Sequence, residues 1–257
     1  MTPTEYLEHI RRDGERLAEA ARNGLDAQVP ACPDWTVRDL VAHTGEVHRQ
    51  KALLVARRIQ DHPREAFGEF ASELPDLELE APDGADVIAW YEAGLGILLE
   101  ALGSADPADK VWTWYEPQQD VAFWYRRMAH ETAIHRVDAE QAHGIQTSIP
   151  VDLAVDGLDE VLDWNLRWGV EEEDIVHGSG ETIHVHAHDA DGEWMLTLQP
   201  DRIDLERGHG KGDAALRGSA EDLDLYLWGR RPLDGLEVIG DRALVERLRE
   251  LAALATQ

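Results

Sequence analysis

The spacing of apolar residues changes its period along the chain, and this change constrains the fold more than any other feature of the sequence. Before about residue 168, apolar residues recur every three to four positions, which is the pattern of amphipathic helices. From residue 182 onward they alternate with polar residues, which is the pattern of half-buried strands. Ile149-Pro150 is the first credible boundary. The sequence therefore predicts a helical domain at 1–148 and an α+β domain at 149–257.

Four long helices are predicted in the first domain. Gly24 and Gly144 stand where the first and last of them would end. Thr36 followed by Asp39 resembles a capping box, with Asp in place of the usual Glu, at the start of the second helix. The stretch 61–84 contains three prolines and many acidic residues, and is predicted to be a long loop. Four helices of this length indicate a bundle, with predicted ranges of 4–23, 36–60, 85–102 and 120–142.

The second domain is predicted to begin with a linking helix over 151–168 and to continue as an antiparallel sheet with helices packed on it. The run 182–188 alternates, Asp189 to Gly192 makes a turn, and 194–198 pairs back as a hairpin. Ser219 with Asp222 caps a helix that ends near Gly229. The remaining predicted elements are strands at 202–206, 214–217 and 236–239 and a final helix at 241–254.

Charge and cysteine content exclude several classes of partner. The chain carries 52 acidic and 24 basic residues, a formal charge of −28, so neither nucleic acid nor an anionic membrane surface is expected to bind it. No uninterrupted apolar stretch approaches the roughly 18–20 residues that span a bilayer. The N-terminal residues have no secretory signal pattern. The single cysteine, Cys32, rules out an intrachain disulfide, and we expect a protein of the reducing cytoplasm.

Two residues four positions apart, Glu131 and His135, lie in a stretch without Gly or Pro. On a helix this spacing places a carboxylate and an imidazole on one face. His43, in a second predicted helix, is the preferred third ligand, and His48 competes with it because five residues turn a helix by about 140° and the two cannot face one site. Two histidines and one carboxylate are typical ligands of a catalytic divalent metal with an open position.

Two further groups of residues have an ordinary interpretation beside a functional one. His184, His186 and His188 share one face of a predicted strand, where alternate histidines can chelate a metal. No carboxylate or cysteine accompanies them at ligand spacing, so a half-exposed polar face is the preferred interpretation. Arg230 follows a predicted helix C-terminus, where cations are expected in any case.

Four segments together resemble one known family. The segment Pro33–His43 is similar to the GW(S/T)xxxLxAH segment of mycothiol-dependent maleylpyruvate isomerases and the wider DinB-like superfamily, and Glu131–His135 matches their ExxxH motif. Gly218–Leu223 and Leu225–Arg230 resemble the C-terminal domain of that family. The resemblance covers nearly the whole chain. It implies a DinB-like four-helix bundle followed by a small α+β domain similar to sterol-carrier folds.

The resemblance also implies a site and a chemistry. Zinc, or another divalent metal, would be held by His43, Glu131 and His135, and the thiol of mycothiol would bind at its open position. Arg230 corresponds to an arginine that helps to form the active site. The expected activity is that of an isomerase, or of a thiol S-transferase, acting on a small electrophilic substrate. Two alternatives are a non-catalytic metal-binding or regulatory protein of the same fold and a metal-dependent hydrolase that uses bound water.

Overall fold

The computed structural model describes residues 1–61, 79, 81, 86–168 and 178–255. The chain divides into two compact units, Met1–Thr147 and Ser148–Gln257. The loop predicted at 61–84 lies almost entirely outside the described residues.

Four long helices build the first unit, and all four were predicted from the apolar spacing. Their ends differ from the predicted ones by at most a few residues. They are α1 (Pro3–Ala21), α2 (Val37–Arg57), α3 (Val87–Ser104) and α4 (Val121–Ala142). Aliphatic and aromatic side chains from all four helices form the buried core, among them Leu17, Leu40, Tyr91 and Ala139. The predicted helical N-terminal region is therefore confirmed.

The proline-rich connector before α2 forms a short hairpin, which the sequence did not predict. Gln28–Val29 (β1) pairs antiparallel with Cys32–Thr36 (β2). The hairpin ends at Thr36, whose side chain accepts a hydrogen bond from the Asp39 amide at 3.4 Å, while the Asp39 carboxylate accepts one from the Thr36 amide at 2.8 Å. This reciprocal pair is the predicted capping box, and it starts α2 directly after the strand.

One helix of the described residues, α3, is long and apolar enough to cross a membrane by length and composition alone. Its apolar residues Tyr91, Leu98 and Leu102 are fully buried within the first unit. The Tyr91 hydroxyl donates a hydrogen bond to the Gly14 carbonyl in α1, and Arg49 in α2 donates one to the Trp90 carbonyl. These contacts are those of a core helix.

The second unit opens with helix α5 (Val151–Asp159), which continues as a π-helix over Glu160–Arg167. The sequence predicts one α-helix over this whole range, because a change from i+4 to i+5 hydrogen bonds over eight residues leaves no clear mark on apolar spacing. Two further helices follow the sheet strands, α6 (Ala220–Leu227) and α7 (Arg242–Ala255).

A five-stranded sheet forms the rest of the second unit. Its strands are β3 (Glu181–Ala187), β4 (Gly192–Leu198), β5 (Ile203–Arg207), β6 (Ala214–Gly218) and β7 (Glu237–Gly240). They lie in the order β5-β4-β3-β6-β7. The predicted hairpin and the other three predicted strands are all present, and three of the four strand pairs are antiparallel. The exception is the pair of β3 and β6, which is parallel, because the chain crosses back to the other side of β3 after β5.

Candidate metal centre

Three side chains from two helices of the first unit converge on one point. Helix α2 supplies His43, and α4 supplies Glu131 and His135 one turn apart. The Glu131 Oε1 atom lies 3.2 Å from His135 Nε2 and 3.7 Å from His43 Nε2. The potential ligand atoms of the three residues all lie within 4.8 Å of one another. The structure thus brings together the three residues that spacing and resemblance had singled out.

The ring of His135 is held from both sides. Its Nδ1 atom lies 3.1 Å from the Asp138 carboxylate, which is fully buried one turn along α4. A carboxylate behind the imidazole fixes the ring so that Nε2 points at the metal position. Burial lowers the pKa of His135, but the charge of Glu131 and the hydrogen bond to Asp138 outweigh it and raise the pKa to about 9. Without a metal, His135 is therefore a cation between two carboxylates.

The two oxygens of Glu131 have separate partners. Arg127, one turn before it on α4, forms an ion pair with Oε2, whereas Oε1 faces the two histidines. Burial raises the pKa of Glu131, but the charges of Arg127 and His135 outweigh it and hold the pKa well below its usual range. Glu131 is therefore ionised, and Oε1 is the atom that would bind a metal.

His43 forms the accessible side of the group. Its side chain is 38% exposed, against 11% for His135 and 17% for Glu131. The Trp35 ring, from β2, lies with its centroid 4.8 Å from that of His43 and 6.4 Å from that of His135. Two imidazole nitrogens and one carboxylate oxygen suit zinc and related divalent metals, and solvent or a ligand could reach a metal here beside His43.

The competing histidine of α2 does not join the group. The His48 ring is fully buried, and its Nε2 lies 2.9 Å from the Thr132 hydroxyl, on the α4 residue after Glu131. Burial lowers the pKa of His48 to about 3, so the ring is neutral. His130, the residue before Glu131, is also buried and lies outside the group.

The other predicted site residues belong to the second unit. Arg230 is half-buried after α6, and its guanidinium donates a hydrogen bond to the Trp228 carbonyl at 2.6 Å. His184 and His186 lie on β3, and their rings stack with centroids 5.7 Å apart. His188 is exposed just beyond the end of the strand.

Three residues at the site have no role that was predicted from the sequence. Asp138 and Arg127 stand three and four positions from the ligand that each contacts, a spacing that marks neighbours on a helix and could have identified them. Trp35 could not be placed beside His43 by spacing, because the turn from β2 into α2 decides where its ring lies.

Two family models match the sequence. Residues 7–140 match the model described as the mycothiol maleylpyruvate isomerase N-terminal domain, and residues 152–247 match the model described as the MDMPI C-terminal domain. A search of curated proteins finds no match.

Similar folds occur among solved structures. The crystal structure of a mycothiol-dependent maleylpyruvate isomerase aligns with a TM-score of 0.60 at 16% sequence identity, covering 93% of this chain and 93% of that one. The crystal structure of a histidine-to-alanine mutant of a protein described in the same words aligns with a TM-score of 0.59 at 15% identity and the same coverage. At this level of identity the likeness shows a shared fold.

Proposed function

The chain belongs to the mycothiol maleylpyruvate isomerase family, and on this premise we propose that it is a metal-dependent enzyme that uses mycothiol. Its reaction would be the isomerisation of a small electrophilic substrate or the transfer of the thiol to it. His43, Glu131 and His135 would hold the metal, which we propose to be zinc. The observation that carries the proposal is the convergence of these three ligand atoms beside a partly exposed histidine.

The side chains around the ligands prepare them for this role. Asp138 keeps a proton on His135 Nδ1 and so leaves Nε2 for the metal. Arg127 occupies Glu131 Oε2 and so leaves Oε1 for the metal. A divalent metal bound here would lower the pKa of a coordinated thiol and supply a nucleophile near neutral pH. The exposure of His43 favours an open coordination position, which a purely structural metal site would lack.

We further propose that Arg230 binds a carboxylate of the substrate or of the thiol cofactor. A guanidinium presents two parallel N–H donors that match a carboxylate, and it stays charged at any physiological pH. A reducing cytoplasm would suit both a thiol cofactor and a chain with one cysteine, Cys32.

The test combines metal analysis with a thiol-consumption assay. The purified chain is loaded with zinc and incubated with mycothiol and a panel of small electrophiles, including maleylpyruvate. We expect the wild-type chain to bind about one zinc more than the Glu131→Gln chain, and to consume or catalytically cycle the thiol. Glu131→Gln removes the ligand charge with little change in shape. We expect it to reduce both the zinc affinity of this site and turnover at least about 100-fold, because replacing residues that only hydrogen-bond to a metal ligand already lowers metal affinity or activity about 10–100-fold.

Two control variants separate the roles. Glu92→Gln alters an exposed carboxylate of the same unit, paired with Arg22, and should leave both readouts unchanged. Arg230→Gln should keep the zinc but raise the KM for a carboxylate-bearing substrate or cofactor. A wild-type chain that binds no more zinc than the Glu131→Gln chain would refute the proposal. Hydrolysis of a substrate without thiol would show that the protein is a hydrolase instead. Bound zinc without any turnover would indicate a binding or regulatory role.

A further inference from the structure

A second group of potential metal ligands lies in the second unit, on the sheet face that carries the strand histidines. Glu193 on β4 stands directly opposite His186 on β3 in the antiparallel register, and diagonally from His184. No carboxylate accompanies these histidines at ligand spacing along the chain. Strand pairing supplies it from the next strand, which places Glu193 and both histidines on one half-exposed face.

The carboxylate of Glu193 gathers three imidazoles. Its Oε2 atom lies 2.8 Å from His184 Nε2 and 2.6 Å from His209 Nδ1. Its Oε1 atom lies 3.9 Å from His186 Nε2. The His209 ring meets the His184 ring edge-on, with centroids 5.2 Å apart. The ligand atoms of His184, Glu193 and His209 all lie within 4.8 Å of one another, as at the first site.

His209 reaches this face because the loop after β5 folds back over the sheet. Gly208 has a φ of +139°, which favours glycine, and its amide donates a hydrogen bond to the Glu193 carbonyl at 3.0 Å. Gly210 lies so close to the sheet that a Cβ there would stand 2.8 Å from the Met195 sulfur. Two glycines thus allow the close approach that brings His209 to Glu193.

We propose that His184, Glu193 and His209 form a second divalent-metal site, with His186 as an adjacent ligand, separate from the centre in the helical unit. Imidazole nitrogens with one carboxylate oxygen select zinc, nickel or copper over magnesium or calcium. Metal–ligand bonds of about 2.0–2.2 Å hold neighbouring ligand atoms of a tetrahedron about 3.3 Å apart. The side chains need only small rotations to reach that spacing. His184 is nearly buried and His209 is largely exposed, so the metal would fasten the loop to the sheet.

The experiment removes the first site so that the second can be counted alone. In the full-length Glu131→Gln chain, zinc binding is measured by calorimetry and by metal analysis after desalting. We expect about one zinc per chain to remain. Adding Glu193→Gln or His209→Gln to that background should weaken zinc binding at least about tenfold, because each removes a ligand. His209 is 79% exposed, so its replacement should leave the fold intact.

Matched controls use residues of the same type nearby. His188→Gln changes an exposed histidine beyond the strand, and Glu206→Gln changes an exposed carboxylate on β5; both should leave zinc binding unchanged. Loss of all zinc from the Glu131→Gln chain would refute the second site, as would equal binding with and without Glu193→Gln. Neither result bears on the first site, whose test uses the wild-type chain.

Discussion

At the scale of single residues, the hydrogen bonds around His48 settle which of its nitrogens carries the proton. The Thr132 hydroxyl has one hydrogen, and it points to the Met128 carbonyl at 2.7 Å. The hydroxyl oxygen must therefore accept from His48, so the hydrogen is on Nε2. The buried Nδ1 has no hydrogen-bond partner among the described residues. A second proton on Nδ1 would place a positive charge in the core on a nitrogen without a hydrogen-bond partner among the described residues.

This arrangement predicts a contribution of His48 to acid unfolding. Its folded pKa of about 3 lies below the unfolded value of 6.5, so below pH 6.5 the unfolded chain binds a proton that the folded chain does not. The free energy of unfolding should fall by up to about 1.4 kcal/mol per pH unit as the pH decreases from 6.5 toward 3. His48→Gln can keep the donor to Thr132 and does not titrate. Urea unfolding of both chains from pH 8 to pH 4 measures the difference.

The difference in the free energy of unfolding between the wild-type and His48→Gln chains should be constant above pH 7. Below that pH, His48→Gln should become more stable relative to the wild type. A difference that stays constant down to pH 4 would contradict a neutral, buried His48. Because only the difference is used, acid effects common to both chains cancel.

Residue identity along the chain predicted part of the candidate site. Glu131 and His135 share one helix, so their four-residue spacing alone predicts that they are neighbours. His43 comes from another helix, so no spacing along the chain predicts that it is a neighbour of that pair; it was proposed as the third ligand from its residue type, and the resemblance then supported the choice. Glu193 and His209 escaped prediction because strand register and a folded-back loop bring them to His184. Spacing along the sequence carries no information about contacts of that kind.

At the scale of secondary-structure elements, a buried ion network ties α1 to α4. Arg136 is fully buried, and its guanidinium lies 3.3 Å from the Asp13 carboxylate of α1 and 2.9 Å from the Glu140 carboxylate of α4. It also donates to the Thr147 carbonyl at 2.7 Å, at the end of the first unit. One side chain thus holds two helices and the segment that follows α4.

Removing this cation should destabilise the first unit strongly. Arg136→Met keeps much of the side-chain length but leaves the Asp13 and Glu140 carboxylates buried without it, which typically costs about 3–5 kcal/mol. Arg22→Met breaks an ion pair with Glu92 whose partners are about half exposed, and should cost less than about 1 kcal/mol. Urea unfolding of the two variants compares them. Equal and small losses would show that the buried network contributes no more than a surface pair.

Helices and strands with a clear periodic spacing of apolar residues were predicted from the sequence, and elements without such a spacing were not. The four long helices and the alternating strands follow from apolar spacing over many residues. The β1–β2 hairpin is too short to show a period, and the π-helix Glu160–Arg167 is too short to show a period different from that of the α-helix before it. The parallel pairing of β3 with β6 depends on which side of the sheet the chain returns to, and no local pattern records that choice.

At the scale of the whole molecule, charge repulsion acts against folding. A net charge of −28 on 257 residues means that acidic groups repel one another in the compact state. We expect the melting temperature to rise when NaCl is increased from about 10 to about 150 mM, because the screening length falls from about 30 to about 8 Å. A gain of 1 kcal/mol would correspond to about 2–4 °C for a chain of this size.

Differential scanning calorimetry at fixed pH measures this effect, with metal chelated throughout so that site occupancy does not change. An equal rise in KCl would confirm a general effect of ionic strength. A fall in melting temperature would show instead that attractive ion pairs outweigh the repulsion. The sequence predicts two domains with a boundary at Ile149-Pro150, and the structure divides into the compact units Met1–Thr147 and Ser148–Gln257.

The capping box at Thr36 also determines the rotational phase of α2. His43 follows Thr36 by seven residues, close to two full turns, so it lies nearly in line with the first residues of the helix. Each residue inserted or deleted between the cap and His43 would rotate the imidazole by about 100° around the helix axis, away from Glu131 and His135. The hairpin and its cap thus fix the direction in which His43 leaves the helix. The number of residues between Thr36 and His43 is therefore as important to the metal centre as the ligands themselves.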